Sequence, residues 1–190
     1  MTDYLYRIDL NIFYFFNHNL SIPVLDKFFS LITSVNNWYI AYIILLLIAF
    51  IKGGRTGRIT AIGVLILIAI TDQVSSNILK DLVHRVRPCM VLPDAITPIG
   101  CTGTYSFPSN HAFNNFAAAT FISRFFPKMK WALFITAVLI AVSRIYLGLH
   151  YPTDVLGGAI FGIISGYLFA SLVKWIDQRL KHESKKKTLV

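Results

Sequence analysis

Three short segments hold the polar side chains of this chain that are suited to chemistry: Lys80–Pro88, Phe107–His111 and Ser143–Asp154. Arginine offers a planar pair of donors to a phosphoryl group, and lysine offers a point charge. Two histidines near neutral pH can divide the roles of nucleophile and general acid. The segments therefore predict a site for phosphoryl chemistry. The residues assigned to it are Lys80, Arg87, Ser109, Asn110, His111, Arg144, His150 and Asp154.

The residues next to the two histidines support this assignment. Asp154 follows His150 by four residues, near enough to hydrogen-bond the imidazole and to fix which ring nitrogen is free. Pro108, Ser109 and Asn110 are typical of a helix start, where unpaired backbone N–H groups and the helix dipole attract an anion. We therefore expect Ser109 and Asn110 to contribute to phosphate binding.

The composition indicates what kind of protein positions these residues. Hydrophobic residues make up 55% of the 190-residue chain and charged residues only 14%, whereas soluble domains carry about 25% charged residues. The mean hydropathy is +0.61, yet the formal net charge is +9. Such a chain is too apolar to be disordered and is unlike a nucleic-acid-binding module. We predict an integral membrane protein.

Five apolar segments are long enough, in helical form, to approach the roughly 20 residues that cross a membrane. The residues before Phe28 place apolar side chains at helical spacing between polar ones, which favours an interfacial amphipathic helix, with a short sixth span as the alternative. The sequence thus predicts an all-α, polytopic bundle in one domain, residues 1–190. The five segments are Trp38–Ile51 (which can extend back through Phe28–Val35), Ile59–Leu79, His111–Phe126, Trp131–Leu149 and Thr153–Ile176.

The cations are distributed unevenly between the two predicted faces of the membrane. Twelve of the 18 lie in Lys52–Arg58, in Arg124–Lys130 and in the chain from Lys174 onward, regions that are separated by even numbers of spans. Short basic loops stay cytoplasmic, so we expect residues 177–190 to form a basic cytoplasmic tail. The three chemical segments then share the opposite face. Arg144 lies inside a span, where a cation costs roughly 2.5–3.5 kcal/mol and therefore indicates a function.

The spacing of the chemical residues resembles a three-part family signature. Lys80-x6-Arg87-Pro, Pro-Ser109-x-His111 and Ser-Arg144-x5-His150-x3-Asp154 are similar to the motifs of the type 2 phosphatidic acid phosphatase (PAP2) family, over residues 80–154. One departure is Asn110, which stands where the family usually has glycine, a residue that allows close backbone approach to the phosphate.

The resemblance implies a metal-independent mechanism without a cofactor. His150 attacks phosphorus and forms a phosphohistidine, while Asp154 orients its ring. His111 protonates the leaving oxygen and later activates water. The resemblance also implies that the phosphoryl oxygens bind to Lys80, Arg87, Ser109 and Arg144.

The resemblance implies a membrane lipid as substrate and leaves several functions open. The size of the chain is similar to that of bacterial inner-membrane enzymes that act on undecaprenyl diphosphate or phosphatidylglycerol phosphate. A lipid A 1-phosphatase with the same residues is an alternative, and so is a lipid-phosphate binding or transport protein without turnover. Vanadium haloperoxidases share such anion pockets but are soluble, which the predicted spans argue against. The chain carries no sign of a nucleic-acid partner, and protein partners are not predicted.

Two further pairs of residues lie near the predicted site. Cys89 and Cys101 are on the predicted non-cytoplasmic side, where they could form a disulfide; two unpaired thiols are the alternative. His84 and Arg85 occupy no motif position. We expect them at a solvated helix end, with contact to lipid headgroups or a second phosphate as the alternative.

Overall fold

The computed structural model describes residues 2–101, 103 and 105–188, and the side chains of residues 4–101, 103 and 105–182. The described part of the chain is helical and contains no strand. Lysines 185–187 of the predicted basic tail have side chains outside the described residues. In chain order the helices are α1 (Thr2–Tyr14), α2 (Pro23–Thr33), α3 (Tyr39–Lys52), α4 (Gly54–Gln73), α5 (Lys80–Val83), α6 (Pro88–Val91), α7 (Asn110–Phe125), α8 (Lys130–Tyr146) and α9 (Pro152–Thr188).

Four helical segments of the described chain are long and apolar enough to cross a membrane. They are Val35–Lys52, Gly54–Val83, Pro127–Tyr146 and Pro152–His182. The predicted all-α membrane bundle is therefore confirmed. The predicted span at His111–Phe126 corresponds to α7, which has only 16 residues. This helix packs against α4, α8 and α9, and a helix surrounded by protein need not be uniformly apolar.

Helices α7 and α9 lie parallel and unusually close. A Cβ atom added at Gly158, Gly162 or Gly166 of α9 would come within 2.5–2.6 Å of a backbone carbonyl oxygen of α7 or of the residue that caps its N-terminus. The three contacted carbonyls belong to Ser109, Phe113 and Ala117 in the same order. Small residues allow such backbone contact in membrane helices. The packing brings the N-termini of both helices to one end of the bundle, where the backbone N–H of Ser109 donates to the carbonyl of Asp154 at 3.1 Å.

The N-terminal helix α1 is amphipathic, but its polar side is the buried one. Asp9, Phe13 and Asn17 recur every four residues and are at most 2% exposed, with Asn17 in the wider helical turn Phe15–Asn19 that continues α1. Apolar side chains such as Leu5 and Ile12 are exposed instead. With 13 residues, α1 is shorter than the roughly 20 needed to cross a membrane. Of the two predicted arrangements, its length favours the interfacial helix.

Cys89 and Cys101 are joined by a disulfide with a Cα–Cα distance of 5.9 Å. The bridge closes residues 89–101 of the segment between α5 and α7, and Arg87 lies in the same segment, two residues before Cys89. It therefore restrains the segment that carries a residue of the predicted site.

We expect mass mapping of protein purified without reductant to find no alkylatable thiol, and two after reduction. Closing a loop of about a dozen residues stabilises a fold by about 3 kcal/mol in the chain-entropy model, so reduction should lower the melting temperature. Detection of two free thiols in the untreated protein would contradict the pairing.

Candidate active site

Every side chain predicted for the site lies at the same end of the bundle. Lys80 begins α5 at the end of the span that contains α4, Arg87 immediately precedes α6, and Arg144 lies in the last turn of α8. The turn between α8 and α9 supplies His150. The first turns of the parallel helices α7 and α9 supply His111 and Asp154. The fully or nearly buried members are Lys80, Arg87, Ser109, Arg144, His150 and Asp154.

The contacts of His150 determine which ring nitrogen is protonated. Nη1 of Arg87 lies 3.1 Å from Nε2 of His150 and also donates to the carbonyl of Leu149 at 3.1 Å. Because a guanidinium can only donate, Nε2 must be the acceptor and the ring proton must lie on Nδ1. This nitrogen faces Oδ2 of Asp154 at 3.6 Å. The lone pair of the imidazole therefore lies on the nitrogen that faces the cations.

Burial keeps the imidazole of His150 uncharged. It lowers the pKa of this residue to about 4; Asp154 opposes the shift, and the charge of Arg87 adds to it. At pH 7 the ring is therefore neutral, and its Nε2 lone pair is available for attack once Arg87 releases it. Protonation, which would remove the lone pair, is expected only in acid near pH 4.

We expect histidine-labelled ¹⁵N NMR in micelles to show a neutral His150 ring, protonated on Nδ1, from pH 8 down to about pH 5. The resonance is assigned by its loss in His150→Gln. Half-protonation near the ordinary value of about 6.5 would contradict the assigned charge state, and a proton on Nε2 would contradict the assigned tautomer.

Asp154 is held by donors on both carboxylate oxygens. Its Oδ2, which faces His150, accepts the backbone N–H of Tyr151 at 2.8 Å, and its Oδ1 accepts Nη1 of Arg85 at 2.7 Å. Desolvation acts against the charged form of a fully buried carboxylate, and such donors compensate for it. The carboxylate thus presents one fixed oxygen to the imidazole.

Thr33, at the end of α2, joins the second histidine to a cation. Its carbonyl lies 3.2 Å from Nε2 of His111, and its hydroxyl accepts Nη1 of Arg144 at 2.8 Å. Nε of Arg144 is buried and has no hydrogen-bond partner among the described residues. Since a buried charged donor is costly to leave unpaired, this atom is well suited to an anion. Thr33 was not predicted, because it lies 111 residues from Arg144 and belongs to no motif.

Ser109 and Asn110 differ in what they offer to a phosphate. Ser109 caps α7, its hydroxyl accepting the N–H of Ala112 at 3.5 Å. The Asn110 amide accepts Oγ of Ser75 at 2.7 Å and donates to Ser76 at 2.7 Å and Asp72 at 3.2 Å. The predicted phosphate ligand Asn110 therefore has its side chain engaged with the helical turn Val74–Leu79, because that turn presents hydroxyls toward α7.

Arg85 contradicts its prediction. It was expected at a solvated helix end, but its side chain is 22% exposed and forms ion pairs with Asp154 and with the buried carboxylate of Asp9. The physical reason is the packing of α1 against the start of α9, which covers the loop before α6. The available signal was Asp9, which lies in an N-terminal segment whose apolar residues recur at helical spacing. A carboxylate in such a segment indicates that a cation is needed nearby.

Residues 60–178 match the model of the PAP2 superfamily. The chain belongs to that superfamily. All three predicted motifs fall inside the matched region, so the resemblance to PAP2 phosphatases is confirmed.

The proteins similar in sequence include lipid phosphatases and a diphosphatase. Lipid A 4'-phosphatase of Porphyromonas gingivalis is 33% identical, across 87% of this chain and 72% of the relative. The enzyme of the same name from Bacteroides thetaiotaomicron is 31% identical, across 97% and 85%. Undecaprenyl-diphosphatase of Sulfolobus acidocaldarius is 27% identical, across 91% and 84%. The chain is thus a member of a membrane phosphatase family.

Two solved PAP2 structures have a similar fold. Aquifex aeolicus LpxE has a TM-score of 0.65 and 26% identity, covering 86% of this chain and 95% of its own. A phosphatidylglycerolphosphate phosphatase from Bacillus subtilis has the same TM-score and 25% identity, covering 92% and 87%.

The described residues offer anion ligands rather than a metal cage. No group of three or more histidine, cysteine, aspartate or glutamate side chains within this part of the chain is arranged to hold a metal ion. The carboxylate of Asp154 is occupied by Arg85 and the Tyr151 backbone. Three buried cations beside a neutral imidazole can bind a phosphoryl group and offer it a nucleophile.

Proposed function

We propose that the chain hydrolyses a phosphate or diphosphate ester on a membrane lipid through a phosphohistidine on His150. The observation that carries this proposal is the pair of contacts at that ring. Its Nε2 faces a cation that can bind a phosphoryl oxygen, and its Nδ1 faces a fixed carboxylate. This is the arrangement that a neutral imidazole needs in order to act as a nucleophile and then carry positive charge.

In the first step the Nε2 lone pair of His150 attacks phosphorus. The bond between phosphorus and the leaving oxygen breaks, and that oxygen takes a proton from His111. The imidazole gains positive charge, which Asp154 stabilises through Nδ1–H. The proposal requires Arg87 to move from Nε2 to a phosphoryl oxygen, because its present contact covers the attacking lone pair.

The cations stabilise the charge that develops on the phosphoryl oxygens. Lys80, Arg87 and Arg144 lie within electrostatic reach of one another. An anion placed among them relieves their mutual repulsion and can occupy the open donor of Arg144. In the second step His111 takes a proton from water, the water oxygen attacks phosphorus, and the P–N bond breaks to release phosphate.

The proposed site opens on the extracytoplasmic face. The basic regions meet at the opposite end of the bundle, where Arg55 pairs with Asp177 at 2.7 Å and Lys174 donates to the carbonyl of Arg124 at 2.7 Å. This contact between two loops and the last helix supports one common cytoplasmic side for them, by the rule that short basic loops stay inside. The C-terminal tail would then be cytoplasmic.

Three membrane lipids are the proposed substrates. Undecaprenyl diphosphate and phosphatidylglycerol phosphate are proposed because the chain resembles in size the bacterial family members that act on them, and each is also named in a similar protein. Lipid A phosphate is favoured by relatives that align with 87% and 97% of this chain. All three place an anionic headgroup at the membrane surface, with acyl or prenyl chains in the lipid.

We expect purified protein to release phosphate from at least one of these three lipids at a kcat/KM at least about ten times that for phosphatidic acid. Activity should persist in EDTA, because the proposed chemistry uses side chains only. The assay measures inorganic phosphate from each lipid in mixed micelles. Stoichiometric binding without phosphate release from all four would favour a binding or transport protein, and strict metal dependence would contradict the mechanism.

A further inference from the structure

The side of Asp154 that faces away from His150 is occupied by Arg85. Nη1 of this arginine donates to Oδ1 of Asp154 at 2.7 Å and to the hydroxyl of Thr153 at 2.6 Å. Its guanidinium carbon also lies 4.0 Å from the ring centroid of Tyr151, a distance at which a cation is attracted to an aromatic face. Arg85 is therefore fixed in position, and it fixes the carboxylate in turn.

Arg85 is itself held by a second carboxylate from the other end of the chain. Its Nη2 donates to Oδ2 of Asp9 at 2.5 Å. Oδ1 of Asp9 accepts the backbone N–H of Thr153 at 2.9 Å, and Oδ2 also accepts the Thr153 hydroxyl. Asp9 is 2% exposed and thus uses both oxygens to attach α1 to the first turn of α9.

These contacts form a continuous series from α1 to the proposed nucleophile. Asp9 binds Arg85, Arg85 binds Asp154, and Asp154 faces Nδ1 of His150. We propose that Asp9 and Arg85 are positioning residues that aim the carboxylate of Asp154 at His150, so that the N-terminal helix is part of the catalytic apparatus. The inference rests on the proposed function, since it requires His150 to act as the nucleophile.

The reason for two carboxylates about one arginine is electrostatic. Arg85 alone would draw Asp154 away from the imidazolium that forms during the reaction. Asp9 supplies a second negative charge to the same guanidinium and so leaves more of the Asp154 charge available to His150. Loss of Asp9 should slow the step that charges His150 because Arg85 then competes for the Asp154 charge, and loss of Arg85 should slow it because the carboxylate is then no longer held in place. Lipid binding should change little, because neither residue faces the three phosphate-binding cations in the contacts described.

The test is a double-mutant cycle in mixed micelles, with the one of undecaprenyl diphosphate, phosphatidylglycerol phosphate and lipid A phosphate that the wild type hydrolyses fastest as the probe. We expect Asp9→Asn and Arg85→Gln each to lower kcat by roughly 10–100-fold, as loss of residues that orient a ligand typically does, with KM changed by less than about threefold. In the Asp154→Asn background the same substitutions should lower kcat by less than about threefold, because the carboxylate that they position is gone. Asp177→Asn, which breaks an arginine pair at the far end of the bundle, is the matched control.

Other outcomes separate the positioning role from a structural one. Unchanged kcat in Asp9→Asn, or equal losses of kcat in the presence and absence of Asp154, would overturn the inference. If Asp9→Asn does not fold, kcat of Arg85→Lys is compared with and without Asp154 instead. Lysine keeps a cation between the two carboxylates but lacks the planar pair of guanidinium donors. In the same assays, an active His150→Ala refutes the proposed function itself, and so does a wild type that hydrolyses none of the three proposed lipids. If His150→Ala is inactive but the losses of kcat caused by the Asp9 or Arg85 substitution and by Asp154→Asn simply add, only the positioning role is refuted.

Discussion

Replacement of His150 by alanine is expected to lower phosphate release by at least about 10⁴-fold, as removal of a catalytic nucleophile does elsewhere. The substitution deletes the atom that forms the bond to phosphorus and leaves the cations Lys80, Arg87 and Arg144 in place. Lipid binding should therefore persist, with a dissociation constant within about tenfold of that of the wild type. The measurement is release of inorganic phosphate from a lipid that the wild type hydrolyses, together with equilibrium binding of the same lipid.

A histidine outside the proposed site, His84 in the loop between α5 and α6, serves as the matched control. His84 has a positive φ of 50°, packs edge-to-face against Tyr105 and makes no contact with the proposed nucleophile in the described structure. His84→Asn is the suitable variant, because asparagine tolerates this backbone region. It should retain activity within about threefold. Equal losses in His84→Asn and His150→Ala would indicate damage to the fold rather than loss of a nucleophile.

Replacement of Asp154 by asparagine is expected to lower kcat by roughly 10²–10⁴-fold, by analogy with the orienting aspartate of serine proteases. The amide cannot stabilise an imidazolium, and its NH2 group can donate to Nδ1. That contact would move the ring proton to Nε2, the attacking nitrogen. Asparagine also cannot accept from both Arg85 and the Tyr151 N–H while it faces His150, so the ring loses its fixed partner.

The expected signature of Asp154→Asn is a change of tautomer together with the loss of rate. Histidine ¹⁵N NMR should show the His150 proton on Nε2 in place of Nδ1, while Asp177→Asn leaves the spectrum and kcat unchanged. A loss of less than about threefold in kcat would show that the ring needs no carboxylate. A large loss without a tautomer change would assign Asp154 to charge stabilisation alone.

The spans and the family were predictable because their signals are local in the sequence. Apolar runs predicted five spans, which include the four segments that the described structure shows to be long enough to cross a membrane, and three spaced motifs predicted the PAP2 membership. Helix α7 was less predictable as a span, because neighbours on several sides allow it to carry Asn114 and Asn115. Its burial depends on the glycines of α9, which lie more than 40 residues further along the chain.

The supporting contacts of the site could not be predicted, because they join residues far apart in sequence. Arg85 lies 76 residues from Asp9 and 69 from Asp154, and Thr33 lies 78 from His111. The orientation of α1 was a further obstacle. Its polar residues suggest a face directed at water, whereas the structure directs Asp9 inward and leaves apolar side chains exposed. In a membrane protein the apolar face of a helix can face lipid and its polar face can be buried, which is the reverse of the arrangement in soluble proteins.

The most direct test of the proposed mechanism is to trap the phosphorylated enzyme. Protein is mixed rapidly with the lipid that the wild type hydrolyses fastest, labelled with ³²P in its terminal phosphate, then quenched in base within the first turnover and digested. Base is used because a phosphorus–nitrogen bond to histidine survives base but not acid. We expect transient label on the peptide that contains His150, up to one phosphate per chain, and none in His150→Ala. Turnover without any labelled His150 peptide, or label on a different residue, would contradict the account.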